Sequence, residues 1–278
     1  MTDEERYLFD LQGYLFLAGA LPAEFVAEIN HAIDTLESLN DDEVEARGVP
    51  RRYCQTDNVL VETGGPPAGG LPDYGSPILP NGGFAEQLID WPVTLPYVQE
   101  MIGEPCRLDA ASYMSRNSQG AFKWHHGGAE LLPYSEYAFR DGQFKCVSVK
   151  IGYALTDVDV EDGCFAVIPG SHKSSFTNPL VGHVPDPEHP LVRPIPVRAG
   201  DAIVFSEDLS HGAVVNRRSK VRRTLFYSYA PAFHCAWDGL ADTAKGFFAR
   251  ANNRRRELVQ GPTPYTTETG AERKGIPC

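Results

Sequence analysis

Two histidine positions and one arginine in the second half of the chain have the residue types of a metal site. His125 stands in the run Trp-His-His-Gly-Gly, and His211 follows an apolar stretch and precedes a glycine. Imidazole is a suitable ligand for iron, copper and zinc. Arg222 comes eleven residues after His211 and could hold a carboxylate with two parallel N–H donors. If two strands of a small barrel bring the histidines together, these residues predict a metal site with an anion-binding arginine beside it.

The composition narrows the class of protein. At 278 residues, with no internal repeat and no linker, the sequence predicts a single domain over residues 1–278. The net charge of −12 argues against binding to a nucleic-acid polymer. No apolar run approaches the roughly 20 residues that cross a bilayer, and the acidic start lacks the order of a signal peptide. We therefore expect a cytoplasmic protein with no membrane partner, whose six scattered cysteines are reduced.

Hydrophobic spacing predicts helices towards both ends of the chain and strands between them. Helices are expected from about Pro22 to Leu39, from Phe84 to a C-cap at Gly103, and from about Trp237 to Glu257. Between Cys106 and Pro231, short β-branched and aromatic segments are separated by Gly, Pro, Asn and Asp. This order predicts an α+β fold with a mainly β core, in which the strands form an antiparallel sandwich or barrel.

The segment 41–83 is rich in Gly and Pro and contains no predicted helix or strand. A structureless connection of this length inside a compact domain is usually functional or mobile. We interpret it as a candidate lid that closes over an active site.

Five segments of the sequence resemble the phytanoyl-CoA dioxygenase family of iron(II)- and 2-oxoglutarate-dependent oxygenases. They are GYLFLAGALPAEFVAEIN, LPYVQEMIG, KWHHGG, ALTDVDVEDGCFAVIPGSHK and AGDAIVFSEDLSHGAVVN, and they occur in the family's order. The Pro-Gly-Ser-His-Lys block and the spacing from His211 to Arg222 make the resemblance specific. It implies a double-stranded β-helix, or jelly-roll, fold with N-terminal and flanking helices.

The resemblance also implies roles for individual residues. His125 and His211 fall at the family's iron-binding histidines, and Arg222 falls at the arginine that pairs with the distal carboxylate of 2-oxoglutarate. Polar residues of the segment Ser112–Asn117 could add contacts to the same co-substrate. The family often has a serine two residues after the second histidine, where this chain has Ala213. The implied cofactors are iron(II), 2-oxoglutarate and O₂.

Gly127 stands where the family has the carboxylate of its ligand set of two histidines and one Asp or Glu. The loss of that anionic ligand leaves an open coordination position and a more positive iron. A chloride ion would restore both the charge and the coordination, and glycine or alanine is found at this position in the iron- and 2-oxoglutarate-dependent halogenases. The resemblance therefore implies a halogenase that chlorinates an unactivated C–H bond by a radical route, with the halide beside Gly127.

Two other interpretations stay open. His126, or Glu130 three residues past Gly127, could act as the third ligand and give a hydroxylase. A shift of the motif by one residue would still lack a carboxylate, and the tryptophan before His125 favours the unshifted alignment. Alternatively, the lost ligand marks a catalytically inactive binding scaffold, although the survival of both histidines and the arginine argues against this.

Basic residues near the expected site predict the substrate class. A phosphate or carboxylate group could be held by five candidates, namely Arg51, Arg52, Lys123, Arg217 and Arg218. We therefore expect a free small metabolite of nucleotide or amino-acid type. A carrier-protein partner is not favoured, because both proteins would be acidic, although Arg254–Arg256 could form a local docking patch.

Overall fold

The structure is a computed structural model that describes most of the chain. The described residues are 1–40, 42–43, 52–53, 59–60, 74–103, 105–116, 120–126, 137–218, 220–234 and 243–262. Most of the candidate lid over 41–83 therefore lies outside the described residues. Within the described part, none of the helices combines the length and the apolar character that crossing a membrane requires.

Helices flank the strands at both ends of the described chain. They are α1 (Asp3–Gln12), α2 (Ala23–Ser38), α3 (Phe84–Gln87), α4 (Leu95–Ile102), α5 (Phe247–Arg250) and α6 (Asn253–Val259). The prediction of α2 is confirmed to within one residue at each end. Its buried residues Phe25, Ile29 and Ile33 recur at four-residue spacing, which places them on one face against the core.

The helix α1 was not predicted, although the sequence carries a signal for it. The Thr2 hydroxyl accepts a hydrogen bond from the Glu5 backbone N–H, and the Glu5 carboxylate accepts one from the Thr2 N–H. This capping box satisfies two backbone donors that a helix start leaves unpaired. Gly13 then ends the helix in the left-handed region, at φ 84°.

Two predicted helices are interrupted in the structure. The stretch from Phe84 to Gly103 forms α3, a 3₁₀ turn over Leu88–Asp90 and then α4, with the predicted C-cap at Gly103 confirmed. Pro92 falls at the break, where it has no backbone N–H to continue the helix. Of the helical stretch predicted from Trp237 to Glu257, residues 237–242 lie outside the described residues. The remainder forms two short helices, because Ala251 is extended and the Asn252 side chain caps a new helix.

Fourteen strands form within the described residues. They are β1 (Tyr14–Leu17), β2 (Arg52–Tyr53), β3 (Val59–Leu60), β4 (Tyr74–Pro77), β5 (Cys106–Arg116), β6 (Ala121–His125), β7 (Ala138–Arg140), β8 (Gln143–Lys145), β9 (Val149–Ala154), β10 (Phe165–Val167), β11 (Arg193–Ile195), β12 (Ala202–Ser206), β13 (His211–Ala213) and β14 (Arg222–Pro231).

The strands pair into two main antiparallel sheets and a separate hairpin of β7 and β8. The seven-stranded sheet has the order β1-β12-β9-β14-β5-β4-β2, and the five-stranded sheet has the order β11-β10-β13-β6-β3. The predicted α+β fold with a mainly β core is confirmed. The arrangement is consistent with the jelly-roll form, because two antiparallel sheets enclose a common cavity.

Three of the strands lie inside the segment that was expected to be a structureless lid. β4 pairs with β5 and β2 pairs with β4 in the seven-stranded sheet, while β3 pairs with β6 in the five-stranded sheet. The expectation of a segment without secondary structure was therefore wrong for these residues, since each sheet takes part of the segment as an edge strand. A lid formed by the rest of 41–83 stays a prediction.

The main hydrophobic core lies between the seven-stranded sheet and the helices. Strand residues such as Ile151, Leu225 and Tyr227 pack there with Ile29 of α2 and Val98 of α4. Alternate residues of the same strands point the other way, towards the five-stranded sheet, because side chains alternate along a strand. This alternation leaves one face of the seven-stranded sheet free to line a cavity.

Candidate metal centre

The two predicted metal-binding histidines lie opposite each other on neighbouring strands. His125 ends β6 and His211 begins β13, and the antiparallel register pairs them directly. Their ring centroids are 4.1 Å apart. Gly212 permits this approach, since a Cβ atom there would lie 2.7 Å from the backbone oxygen of Phe122. The structure thus brings together two imidazoles from strands that are far apart in sequence.

Backbone carbonyls fix the orientation of both rings. His125 Nδ1 lies 2.9 Å from the Lys123 oxygen, and His211 Nδ1 lies 2.7 Å from the Leu209 oxygen. A carbonyl can only accept a hydrogen bond, so the neutral rings carry their proton on Nδ1. The lone pair is then on Nε2 in both rings, which is the arrangement commonly seen in metal-binding histidines.

Burial keeps both rings neutral. Desolvation, followed by the neighbouring His125, lowers the pKa of His211 to about 3. Desolvation also lowers the pKa of His125 below its usual value. Since a metal ion binds the deprotonated ring, the environment removes the competition from protons at neutral pH. The pair is therefore ready to ligate a metal ion.

The histidine pair lines a cavity of about 270 Å³ between the two sheets. Its other lining residues are Ala110, Ser112, Met114, Phe122, Lys150, Phe165, Gly212, Ala213, Arg222, Phe226 and Ser228. Among the described residues of this lining, two are lysine or arginine and none is a carboxylate. The cavity therefore has a positive lining, which suits anionic ligands.

Arg222 begins β14 and reaches the cavity as predicted. Its Nη1 atom donates a hydrogen bond to the backbone oxygen of Gly163, which holds the guanidinium in place. Ala213 lines the same end of the cavity and brings no hydroxyl to it. Of the segment Ser112–Asn117, residues 112–116 are described, and among these Ser112 is the polar side chain that lines the cavity, together with Met114.

The residues proposed for the third metal position are Gly127, Glu130 and His126. Gly127 and Glu130 lie outside the described residues. His126 is described, and it lines a second cavity, of about 740 Å³, rather than the one that contains His125. In the part of the chain that the structure describes, no group of three His, Cys, Asp or Glu side chains could hold a metal ion.

The predicted anion-binding residues are not found in the cavity lining. Arg51 and the side chain of Arg52 lie outside the described residues. Lys123, Arg217 and Arg218 are described, but none of them lines the cavity. Arg218 lies 3.6 Å from the carboxylate of Asp162 and is largely exposed, as expected for a surface cation. The described lining thus contains none of Lys123, Arg217 and Arg218, and anion binding by Arg51 or Arg52 stays a prediction.

Lys150 is a cavity residue that the sequence reasoning missed. It lies on β9, whose residues Val149, Ile151 and Tyr153 enter the main core, so that Lys150 faces the cavity. Its ammonium Nζ lies 2.9 Å and 2.8 Å from the two carboxylate oxygens of Glu207, which is almost fully buried. Alternation along Lys150-Ile-Gly-Tyr-Ala154 was the available signal, but Glu207 lies 57 residues away in sequence.

Comparisons with known proteins agree with this geometry. Residues 92–224 match the family model described as phytanoyl-CoA dioxygenase (PhyH). The chain is 32% identical over 163 residues to the dioxygenase olcK of Penicillium canescens, covering 59% of this chain and 51% of that protein. It is 24% identical over 144 residues to the phytanoyl-CoA dioxygenase domain-containing protein 1 of Danio rerio, covering 47% and 50%. These matches show a similarity to phytanoyl-CoA dioxygenase-type proteins over part of the chain. The chain spans about half the length of these curated relatives.

Solved structures show the same fold. HygX from Streptomyces hygroscopicus, crystallised with nickel, 2-oxoglutarate and hygromycin B, matches with a TM-score of 0.67 at 24% identity over 90% of this chain and 95% of its own. The 2-oxoglutarate-dependent epimerase SnoN from nogalamycin biosynthesis matches with a TM-score of 0.58 at 20% identity, over 95% and 93%. At these identities, the likeness shows a shared fold alone.

Proposed function

We propose that this protein is an iron(II)- and 2-oxoglutarate-dependent halogenase that chlorinates an unactivated C–H bond of a small, free, anionic metabolite. The observation that carries the proposal is the pair of neutral histidines with their Nε2 atoms available and no third described ligand beside them. In sequence, Gly127 occupies the position at which a carboxylate would complete the set.

The residues of the cavity fit the implied cofactors. His125 and His211 would hold iron(II), since imidazole nitrogen suits this metal. Arg222 would hold the distal carboxylate of 2-oxoglutarate by a charge-assisted contact, and Ser112 lies in the same lining. When bound, iron with 2-oxoglutarate and O₂ supplies an oxidant that can remove hydrogen from a C–H bond. The protein orients the reactants and keeps the site apart from bulk water.

The charge of the cavity supports an added halide. The described lining residues contribute two cationic side chains and no carboxylate, and a divalent metal would add further positive charge. A dianionic co-substrate and a chloride ion offset this excess, with Glu207 behind Lys150 as a further negative charge. An unoccupied anionic position at the metal would leave the site with uncompensated charge, which is costly in a buried environment.

A hydroxylase is the second candidate, because several relatives are named dioxygenases. In that case Glu130 or another group would fill the third position. The mass of the product after turnover with saturating chloride separates the two functions. A product heavier by one chlorine in place of hydrogen supports the halogenase, and a product heavier by one oxygen supports the hydroxylase.

The direct test is an anaerobic titration of the iron(II)–2-oxoglutarate complex with chloride, followed by its visible charge-transfer band. We expect the band to shift and strengthen as chloride binds to the metal. A band that forms fully without chloride and ignores its addition would count against the halogenase. The absence of a band would instead favour the inactive scaffold.

The substitution Gly127→Asp gives a second test. An aspartate at this position is expected to occupy the coordination position of the halide, so that chlorination is lost while iron binding is retained. Product analysis by mass spectrometry and the charge-transfer titration check this, with Gly128→Asp as the neighbouring control. Chlorination by Gly127→Asp at the rate of the parent protein would contradict the ligand assignment.

A further inference from the structure

The two cations of the described cavity lining, Arg222 and Lys150, lie far apart along the strand pair of β14 and β9. Arg222 and Ser228 are six residues apart on β14, which separates their Cα atoms by about 20 Å along the strand. Lys150 is the register partner of Ser228 on β9. Ala213 accompanies Arg222 at one end, and the electrostatic influence of Lys150 reaches both histidines. A co-substrate held by Arg222 would therefore lie at a distance from Lys150, which would face a second ligand in the same cavity.

Lys150 has bonding capacity left after its contact with Glu207. An ammonium group has three N–H donors, and two contacts with the Glu207 carboxylate use at most two of them. The Lys150 side chain retains 19% exposure, and it lines the cavity whereas Glu207 does not. At least one donor is therefore left for a ligand in the cavity.

Ser228 adds a second donor next to Lys150. Its side chain lines the cavity, and its residue pairs directly with Lys150 on the neighbouring strand β9. The Ser228 hydroxyl makes no hydrogen bond to the residues that the structure describes. An ammonium and a hydroxyl side by side are a common pair of donors for an oxyanion. Ala110, across from Ser228 on β5, is small and leaves room there.

Glu207 keeps Lys150 in this position. Burial alone would raise the pKa of Glu207, but the Lys150 ammonium lowers it, so the carboxylate stays charged. A buried carboxylate held by a lysine restricts the lysine side chain and also weakens its pull on any other anion. Glu207 is therefore a positioning residue that reduces the affinity of the site for anions.

We propose that Lys150 and Ser228 form a second anion-binding subsite, which holds a carboxylate or phosphate group of the primary substrate beside the metal centre. This inference rests on the proposed function, because it takes the cavity as the place of reaction. Lys150, inside the cavity, would then hold the anionic group that the sequence predicted for Lys123, Arg217 or Arg218.

The test uses the full-length protein, anaerobic, with iron(II) and saturating 2-oxoglutarate, so that Arg222 is engaged. The probes are acetate and methylphosphonate, and their dissociation constants follow from the concentration dependence of Tm. The variants are Lys150→Met, Ser228→Ala and Glu207→Gln. Lys145→Met, at the end of β8 and away from the cavity lining, is the matched control.

We expect Lys150→Met to weaken binding of the preferred probe about tenfold, as for the loss of a charge-assisted contact. Ser228→Ala should weaken it by a smaller factor, and Glu207→Gln should tighten it because the competing carboxylate is gone. Lys145→Met should bind as the parent does. Tighter binding of methylphosphonate than of acetate identifies the group as phosphate, and the reverse identifies a carboxylate.

Equal probe affinity in Lys150→Met and the parent would overturn the subsite. Should Lys150→Met fail to fold because Glu207 loses its partner, the near-isosteric Glu207→Gln decides the matter. In that variant, unchanged or weaker probe binding would show that the pair is structural. The charge-transfer band of iron(II) with 2-oxoglutarate is recorded in the same samples. A band that responds to chloride while probe affinity ignores Lys150 would leave the proposed function intact.

Discussion

The two sheets that enclose the cavity are built in different ways. The seven-stranded sheet contains the long strands β5 and β14, of 11 and 10 residues, and its outer face packs on the helices. The five-stranded sheet contains the three-residue strands β10, β11 and β13. It takes part in two smaller hydrophobic clusters.

The chemistry is divided between the sheets in the same way. The five-stranded sheet carries His125 and His211, and the seven-stranded sheet carries Arg222 and Lys150. The large core supports the groups that we propose to bind anions, and the short strands carry the groups that would bind the metal. Stability and metal binding are therefore expected to depend on different residues.

The largest effect is expected from His211→Ala in the five-stranded sheet. Changes behind a metal ligand cost about 10–100-fold in metal affinity, so removal of a ligand should exceed that range. Anaerobic equilibrium dialysis with iron(II) measures the loss, with the exposed His183→Ala as control. Thermal unfolding of the metal-free variant should stay close to that of the parent. A large drop in Tm would show that metal binding and stability are not separate.

Arg222→Gln tests the proposed anion-binding groups of the seven-stranded sheet. The loss of a charged contact to a carboxylate is expected to weaken 2-oxoglutarate binding by about tenfold to a hundredfold. Iron(II) binding should be unchanged, because the arginine belongs to the other sheet. Arg193→Gln on the exposed edge strand β11 is the control. Equal affinity for 2-oxoglutarate in Arg222→Gln and the parent would remove this arginine from the co-substrate site.

A matched pair of core substitutions compares the sheets in stability. Leu225 and Leu209 are both fully buried, but Leu225 lies in the main core and Leu209 in a six-residue cluster between the sheets. Leu→Ala changes in cores cost about 2–5 kcal/mol. We expect the loss of unfolding free energy to lie near the upper end of this range for Leu225→Ala and near the lower end for Leu209→Ala. Denaturant unfolding measures both, and the reverse order would contradict a main core against the seven-stranded sheet.

As the pH falls, the five-stranded sheet is expected to lose stability before the seven-stranded sheet. Burial lowers the pKa of His172, which follows β10, to about 4, and it lowers those of His125 and His211. Their neutral forms are favoured in the folded state, so stability is complete above the unfolded value of 6.5 and falls as pH drops towards the folded values. Each contributes up to about 1.4 kcal/mol per pH unit.

Denaturant unfolding of the metal-free protein at pH 7 and pH 5 measures this loss. His172→Gln should be less sensitive to the change, because one proton acceptor of the unfolded state is gone. If hydrogen exchange accelerates in β5 and β14 before β10 and β13 as pH falls, the proposed order of the sheets is wrong.

Local patterns in the sequence predicted the elements better than their connections. The four-residue spacing of Phe25, Ile29 and Ile33 places α2 within one residue of its ends. The capping box of α1 was equally local and was overlooked, whereas the break at Asn252 depends on a side chain that competes for the backbone. Spacing alone over-extended the last helix, because it does not register such caps.

The candidate site shows the same difference between local sequence patterns and long-range connections. His125, His211 and Arg222 stand in recognisable segments, and the structure places all three in one cavity. Lys150 does not stand in such a motif, since its significance comes from the cavity face of β9 and from Glu207, a distant residue. Long-range register decides which cations face inward, and one sequence does not reveal it.

The contact of each histidine with a carbonyl two residues earlier has an evolutionary consequence. The acceptors belong to the main chain of Lys123 and Leu209, so a substitution at either position exchanges the side chain and keeps the oxygen. The wall of the cavity opposite them consists of side chains, which mutation can replace one at a time. In such a scaffold, substitutions in that wall can change the substrate, while the orientation of the two imidazoles is retained.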